Sequence, residues 1–338
     1  MRDRNHFSPS AAVIALQRNA INSSTRRTYD VAIGHYDRFC QQFGCDSSVI
    51  SRENVSEWMA SIAAEKSIKS STFTTYCSGL STTYIERGGA PDNNPFIDPR
   101  ITRARDGVVR TLDEFSRSQP DRIPSPALTP DLLRQIDAHL RALGPQGKMM
   151  LAAAAIGVHA ALRPGELLGS VSHPDRTPRP SSIIFYARAG SNAVAPLSAL
   201  APLPDRFTID LGVTKTDQSG KRPPKACAAP YAVRALWEWM LLRQQRGETR
   251  PELFCYDSVP LRQTTLLREL NLAHSVQLGT DAHFTGKCFR RGLTSALILT
   301  ASTADAQAAG AWRTAAMVAV YTAPEAAEAQ RLAISRRS

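Results

Sequence analysis

Six cysteines, Cys40, Cys45, Cys77, Cys227, Cys255 and Cys288, are scattered over 338 residues without a single CxxC pair. That spacing offers neither a zinc-ligand cluster nor a disulfide framework, and it fits a reducing compartment. Long apolar runs are missing as well. The most apolar stretch, Met149 to Leu162, contains His159 and is too short to span a bilayer, and the polar N-terminus lacks a signal-peptide core. The expectation is an intracellular, soluble protein of the cytoplasm or nucleoid, nuclear in a eukaryote, with no membrane partner. No repeat of solenoid period is visible. Acidic residues are the other shortage: 30 Asp+Glu face 41 Lys+Arg, giving a net charge of +11 and a pI near 9.7. Such an excess favours a polyanionic partner, above all nucleic acid. Residues 1–126 hold 16 basic and 14 acidic side chains, leaving 25 and 16 for the rest, so the second part carries +9 of the +11.

The length exceeds that of a typical single domain, and 43% hydrophobic residues can fill two cores. A helical stripe of Tyr29, Ala32, Ile33, Tyr36, Phe39, Cys40 and Phe43 follows cap candidates at Ser23-Ser24-Thr25. A second helix from about Ser51 turns Val55, Trp58, Met59 and Ile62 inward. A third carries Phe73, Tyr76, Cys77, Leu80 and Tyr84 up to Gly88-Gly89, and a basic fourth is expected around 99–107. These make an all-α module over 1–115. The polar, proline-rich segment 116–127 reads as a linker, and Thr129-Pro130 opens the next helix. Over 128–338 the pattern predicts helices at about 129–143, 146–162, 230–246, 261–273, 286–300 and 303–323. Two strand-like runs, 182–187 and 206–213, and a hairpin turn at 216–220 interrupt them. The expected fold class is mainly α with a small antiparallel β-sheet in the second of two domains. The Ala/Pro/Leu run at 188–205 reads as a loop between the first two strands.

Metal-free attack on a phosphodiester needs a nucleophile, cations on the non-bridging oxygens and an acid for the leaving 5′-hydroxyl. The second part offers candidates for each. Arg163-Pro-Gly-Glu166-Leu167 ends the apolar helix with an arginine whose planar fork suits phosphate, and Glu166 could buttress it. Taken alone, such a pair is commonly a surface ion pair closing a helix. Lys215 stands where a strand enters its turn, with Lys221 as a competing candidate. Lys287-Cys-Phe-Arg290 puts two cations one turn apart at a helix start, with Arg291 directed elsewhere. Trp312 is followed nine residues later by Tyr321, either of which could instead be a packing residue.

In order and spacing these elements resemble the tyrosine recombinases, or phage-integrase-type recombinases. Their motifs run Arg-x-x-Glu-Leu, a β-hairpin Lys, His-or-Lys-x-x-Arg, and His-or-Trp nine residues before the nucleophilic Tyr. The likeness covers about 160 residues here, and Ser23-Ser-Thr-Arg-Arg-Thr-Tyr29 resembles the opening of that family's core-binding domain. It implies a two-domain clamp around double-stranded DNA, with Tyr321 as nucleophile, Arg163 and Arg290 as phosphate clamps, Lys215 as general acid and Trp312 as donor or packing group. Lys287 replaces the usual His, as in some relatives and in type IB topoisomerases, and is expected to donate to a phosphate oxygen. A 3′-phosphotyrosyl intermediate conserves bond energy, so the resemblance implies neither ATP nor metal nor any other cofactor. It also implies a homotetramer on DNA, with a short C-terminal helix at 325–334 docking on a neighbour. Candidate DNA contacts are Arg26, Arg27, Lys69, Ser71, Arg103, Arg105 and Arg291. The motifs resemble recombinases of mobile elements in particular, with a type IB topoisomerase or an inactive DNA-binding relative as alternatives.

Overall fold

The computed structural model describes residues 20–119, 125–168, 177–188, 192–212, 223–279, 283–300, 302–304 and 307. The chain divides between Ile123 and Pro124 into two compact units. The first contains helices α1 (Ser23–Phe43), α2 (Arg52–Glu65), α3 (Ser70–Glu86) and α4 (Pro99–Ser118). Asn22 caps α1 by accepting the Thr25 N–H at 2.8 Å, Ser51 caps α2 through Asn54, and Asp98 caps α4 through Arg100. Helix α4 runs well past the expected 107, because Ile101, Val108 and Leu112 continue one buried stripe. The segment expected as a linker from 116 therefore begins inside this helix. Tyr36, Phe39, Trp58, Met59, Ile62, Phe73 and Leu80 fill the core.

Half-buried His35 lies within this aromatic core and accepts the Trp58 indole N–H on Nδ1 at 3.1 Å. Burial and, after it, Arg38 hold its pKa below the ordinary 6.5, with Glu65 opposing them. The folded unit thus binds fewer protons than the unfolded chain. The stability this provides is complete above pH 6.5 and drains away as pH falls toward the folded pKa. His159 in the second unit, also held low by burial, adds in the same direction. Urea denaturation is expected to show stability falling between pH 7 and pH 5, and His35→Gln, which still accepts from Trp58, to flatten that slope. An equal slope in the variant would refute the assignment.

The second unit is built around α6 (Gly144–His159), every residue of which from Met149 to Val158 is buried. A helix apolar on all sides has to be covered on all sides. Helices α5 (Pro130–Ala142), α8 (Pro230–Gln245) and α10 (Cys288–Thr300) pack on it, and α9 (Gln263–Leu278) packs on α5. A short α7 (Pro164–Leu167) follows. Strands β1 (Ile183–Tyr186), β2 (Arg206–Ile209) and β3 (Lys225–Cys227) form an antiparallel sheet, with Phe185 opposite Phe207 and Phe207 opposite Cys227. The described part of the 188–205 connection does not stand away from the sheet. Val194 bridges Tyr186, and the buried Ala195 donates its N–H to Phe185 O at 2.9 Å.

A second hairpin, β4 (Cys255–Tyr256) and β5 (Val259–Pro260), was not expected. Its strands are too short for an alternating pattern. Its turn residues Asp257 and Ser258 both have positive φ, 49° and 61°, a geometry that Asn-Gly or Asp-Gly would have signalled. The chain is thus mainly helical with a small antiparallel sheet. Among the described residues, no helix is long and apolar enough to cross a membrane.

Candidate active site

Helix α6 ends in a Schellman cap. Leu162 N–H reaches back to Gly157 O at 2.9 Å and Ala161 N–H to Val158 O at 3.1 Å. The left-handed residue such a cap requires is Ala161, at φ 50°, where glycine is the usual occupant. A Cβ there costs roughly 1–2 kcal/mol, partly offset by the lower chain entropy of alanine. Ala161→Gly is therefore expected to raise stability by about 0.5–1 kcal/mol, read from the urea midpoint. A lower midpoint would contradict the strain.

The cap turns the chain so that Arg163 precedes α7. Arg163 donates its backbone N–H to Glu166 Oε2 at 2.8 Å and its Nη1 to Glu166 Oε1 at 2.7 Å. From α10, Arg290 enters the same group: Nη2 lies 3.1 Å from Glu166 Oε2, and Nε donates to Ala161 O at 2.9 Å. The Arg163 side chain is 35% exposed, those of Glu166 and Arg290 only 9% and 5%. One largely covered carboxylate thus holds two arginines in register, one of them open to solvent. Paired guanidinium groups at fixed spacing are a receptor for a phosphate or carboxylate.

Helix α10 approaches very closely. Leu128 N–H donates to Cys288 O at 3.1 Å, and a Cβ on Gly292 would stand 1.8 Å from Leu128 O. Only glycine fits there, which explains the Gly of the Phe-Arg-Arg-Gly motif. Phe289 closes against Gly157 of α6, where an added Cβ would lie 3.0 Å from its ring. Arg290 is thereby fixed by its neighbours on both sides. Cys288 is fully buried, and burial raises its pKa to about 12, so its thiol is inert.

Arg163, Glu166 and Arg290, all anticipated from sequence, come together. Lys287 is exposed just before α10, and Arg290 is buried in its first turn. Arg291, anticipated as a DNA contact, is instead 8% exposed and donates Nη1 to Ser125 O, fastening α10 to the start of the unit. Lys215, Trp312 and Tyr321 lie outside the described residues, as do the hairpin turn at 216–220 and the 325–334 helix. In the first unit Arg27, Lys69, Ser71 and Arg103 are exposed, and Arg105 pairs with Asp106 at 3.4 Å. Arg26 gives both terminal nitrogens to Glu86 at 2.6 Å, tying α1 to α3. Sequence reasoning missed Lys225, whose Nζ donates to Ala160 O at 2.9 Å. A lysine opening a three-residue strand carries no signal of such a contact.

No protein-family profile matches the sequence, and no curated protein matches it. Among solved structures, XerH site-specific recombinase in a post-cleavage complex with palindromic difH substrate aligns with a TM-score of 0.56 at 13% identity, over 92% of this chain and 80% of that one. A lambda integrase dimer bound to a COC′ core site gives 0.47 at 13% identity, over 94% and 78%. The Tn1549 transposon integrase with circular-intermediate DNA gives 0.47 at 14% identity, over 91% and 99%. The chain has the fold of a site-specific recombinase. The likeness is one of fold, at 13% sequence identity.

Proposed function

We propose that this chain is a tyrosine-type site-specific DNA recombinase that cuts and rejoins DNA strands without metal or ATP. The observation that carries the reading is the Arg163–Glu166–Arg290 group, two arginines from separate elements locked on one largely covered carboxylate. In the proposed step the Tyr321 hydroxyl gives up its proton to water, and its oxygen bonds to the scissile phosphorus as the P–O5′ bond breaks. Arg163 and Arg290 neutralise the non-bridging oxygens, where charge develops in the transition state. Lys215 gives its proton to the departing 5′ oxygen, and Lys287 and Trp312 donate to phosphate oxygens. The 3′-phosphotyrosyl link retains the energy of the broken bond, so a 5′-hydroxyl from a partner duplex can reverse the attack. Two rounds of exchange require four protomers on two sites.

In this reading the unit up to Ile123 is the core-binding domain and the unit from Pro124 the catalytic domain, together closing on duplex DNA. Arg27, Lys69, Ser71 and Arg103, all exposed, are proposed as phosphate contacts, with the less exposed Arg26 and Arg105 as further candidates. The +9 charge of the second part would steer the polyanion, so affinity should fall steeply with salt. The test is covalent capture. Nicked duplexes with a randomised central window are incubated with the chain, and adducts surviving detergent are amplified and sequenced. Adduct on one recurring sequence, with exchange between two copies of it, is expected. Relaxation of supercoiled plasmid by monomers without exchange would assign the chemistry to a type IB topoisomerase, and no adduct at all would overturn the catalytic reading.

A further inference from the structure

Two cations converge on the carbonyls that close α6, and only one of them belongs to the group already described. Arg290 Nε takes Ala161 O at 2.9 Å, and Lys225 Nζ takes the adjacent Ala160 O at the same 2.9 Å. These carbonyls lie at the negative end of a sixteen-residue helix dipole, where an ammonium is favoured. They flank the strained Ala161, whose left-handed geometry aims Arg163. Lys225 comes from a different layer of the unit. It opens β3 opposite Ile209 of β2, at the end of the connection that in sequence carries Lys215.

We propose that Lys225 is a positioning residue that holds the Ala160–Arg163 cap, and through it the Arg163 guanidinium, in register with the β2–β3 sheet. The inference rests on the recombinase reading above. Its logic is mechanical. The cap backbone is strained, so it keeps its shape only while its carbonyls are held, and each is held by a cation from a different element. Arg290 sets the cap against α10, and Lys225 sets it against the sheet. The cation that binds the phosphate and the strand connection that supplies the proton donor are thereby placed on one frame. Loss of Lys225 leaves Arg163 and Glu166 present but free to drift, and displacements on the order of 1 Å at a reacting centre cost about a hundredfold in rate.

The experiment uses the full chain, the duplex recovered by covalent capture, and a matched duplex whose scissile 5′ oxygen is replaced by sulfur. Sulfur departs as a thiolate and needs no proton. Lys225→Met, which keeps length and removes donor and charge, should slow adduct formation about 10- to 100-fold on both duplexes with DNA affinity unchanged, and Lys225→Arg should recover most of the rate. Lys215→Met, by contrast, should be slow on oxygen and restored on sulfur. Amide hydrogen exchange provides a readout independent of activity: in Lys225→Met, Ala161 and Leu162 should exchange faster while the middle of α6 does not change. A Lys225→Met enzyme as fast as the wild type overturns the proposal, as does its rescue by sulfur, which would make Lys225 the proton donor. Unfolding of Lys225→Met together with a slow Lys225→Arg would assign the lysine to stability alone and also overturn it. Wild-type chain that captures no duplex defeats the recombinase reading itself, and the positioning role falls with it.

Discussion

Glu166→Ala is expected to destabilise the chain by about 3–5 kcal/mol, the range for stripping one partner from a buried ion pair. The carboxylate accepts from the Arg163 backbone, from Arg163 Nη1 and from Arg290 Nη2, and its side chain is 9% exposed. Truncation leaves Arg290, 5% exposed, with its Nε bond to Ala161 O but without the carboxylate that neutralised it. Arg163 is more exposed and can turn to water, so most of the penalty comes from Arg290. Glu166→Gln retains one acceptor oxygen and most of the shape, and about 1–3 kcal/mol is expected for it. The contrast within the same unit is Asp131, paired with Arg134 across one turn at the surface, whose replacement by Ala should change stability by less than about 1 kcal/mol. Urea denaturation with linear extrapolation measures all three. Near-equal effects for Glu166→Ala and Asp131→Ala would mean that the Arg163–Glu166 contact is the ordinary helix-closing surface pair its sequence spacing equally allows.

That ambiguity marks how far the sequence was legible. Helices with a full apolar stripe, such as α1 with Tyr36 and Phe39 or α6 with its unbroken run, could be placed within a few residues, because periodicity reports burial directly. The end of α4 was misjudged because its acidic and basic residues hide a stripe only three buried residues long. The β4–β5 hairpin had no pattern to read. At the site, Arg163, Glu166 and Arg290 were found by residue type and spacing, while the reasons they meet were not. The cap depends on a left-handed alanine, the approach of α10 on a glycine facing the Leu128 carbonyl, and the second cation on a lysine from β3. The first is a local backbone geometry that an alanine does not signal, and the other two are contacts between backbone atoms and residues far away in sequence, which a linear pattern does not encode. Arg291 shows the converse. Its place in a basic motif suggested a nucleic-acid contact, yet its guanidinium is spent inside the unit on Ser125 O.

Tyr321→Phe is expected to abolish covalent capture of DNA while leaving affinity for the same duplex unchanged. The substitution removes one oxygen, the atom proposed to bond to phosphorus, and nothing that would contact a phosphate electrostatically. Loss of a nucleophile typically costs on the order of a millionfold, which puts residual adduct below detection. Loss of a single donor to the developing charge is milder. Lys287→Ala should therefore slow adduct formation by about a hundred- to a thousandfold without eliminating it. The separation of these two phenotypes matters more than either alone. A DNA-binding relative that had lost its chemistry would bind equally well as wild type and as Tyr321→Phe, and would be captured in none of the three forms. Adduct persisting in Tyr321→Phe would move the nucleophile to another side chain, since no other group in the proposed step can form a detergent-stable bond to the 3′ phosphate. A Lys287→Ala enzyme as dead as Tyr321→Phe would instead assign Lys287 an indispensable proton transfer, more than the supporting hydrogen bond proposed for it. The salt dependence of binding completes the comparison. It should be the same for wild type and Tyr321→Phe, because the charges that release counterions from the duplex are untouched by removal of a neutral phenol oxygen.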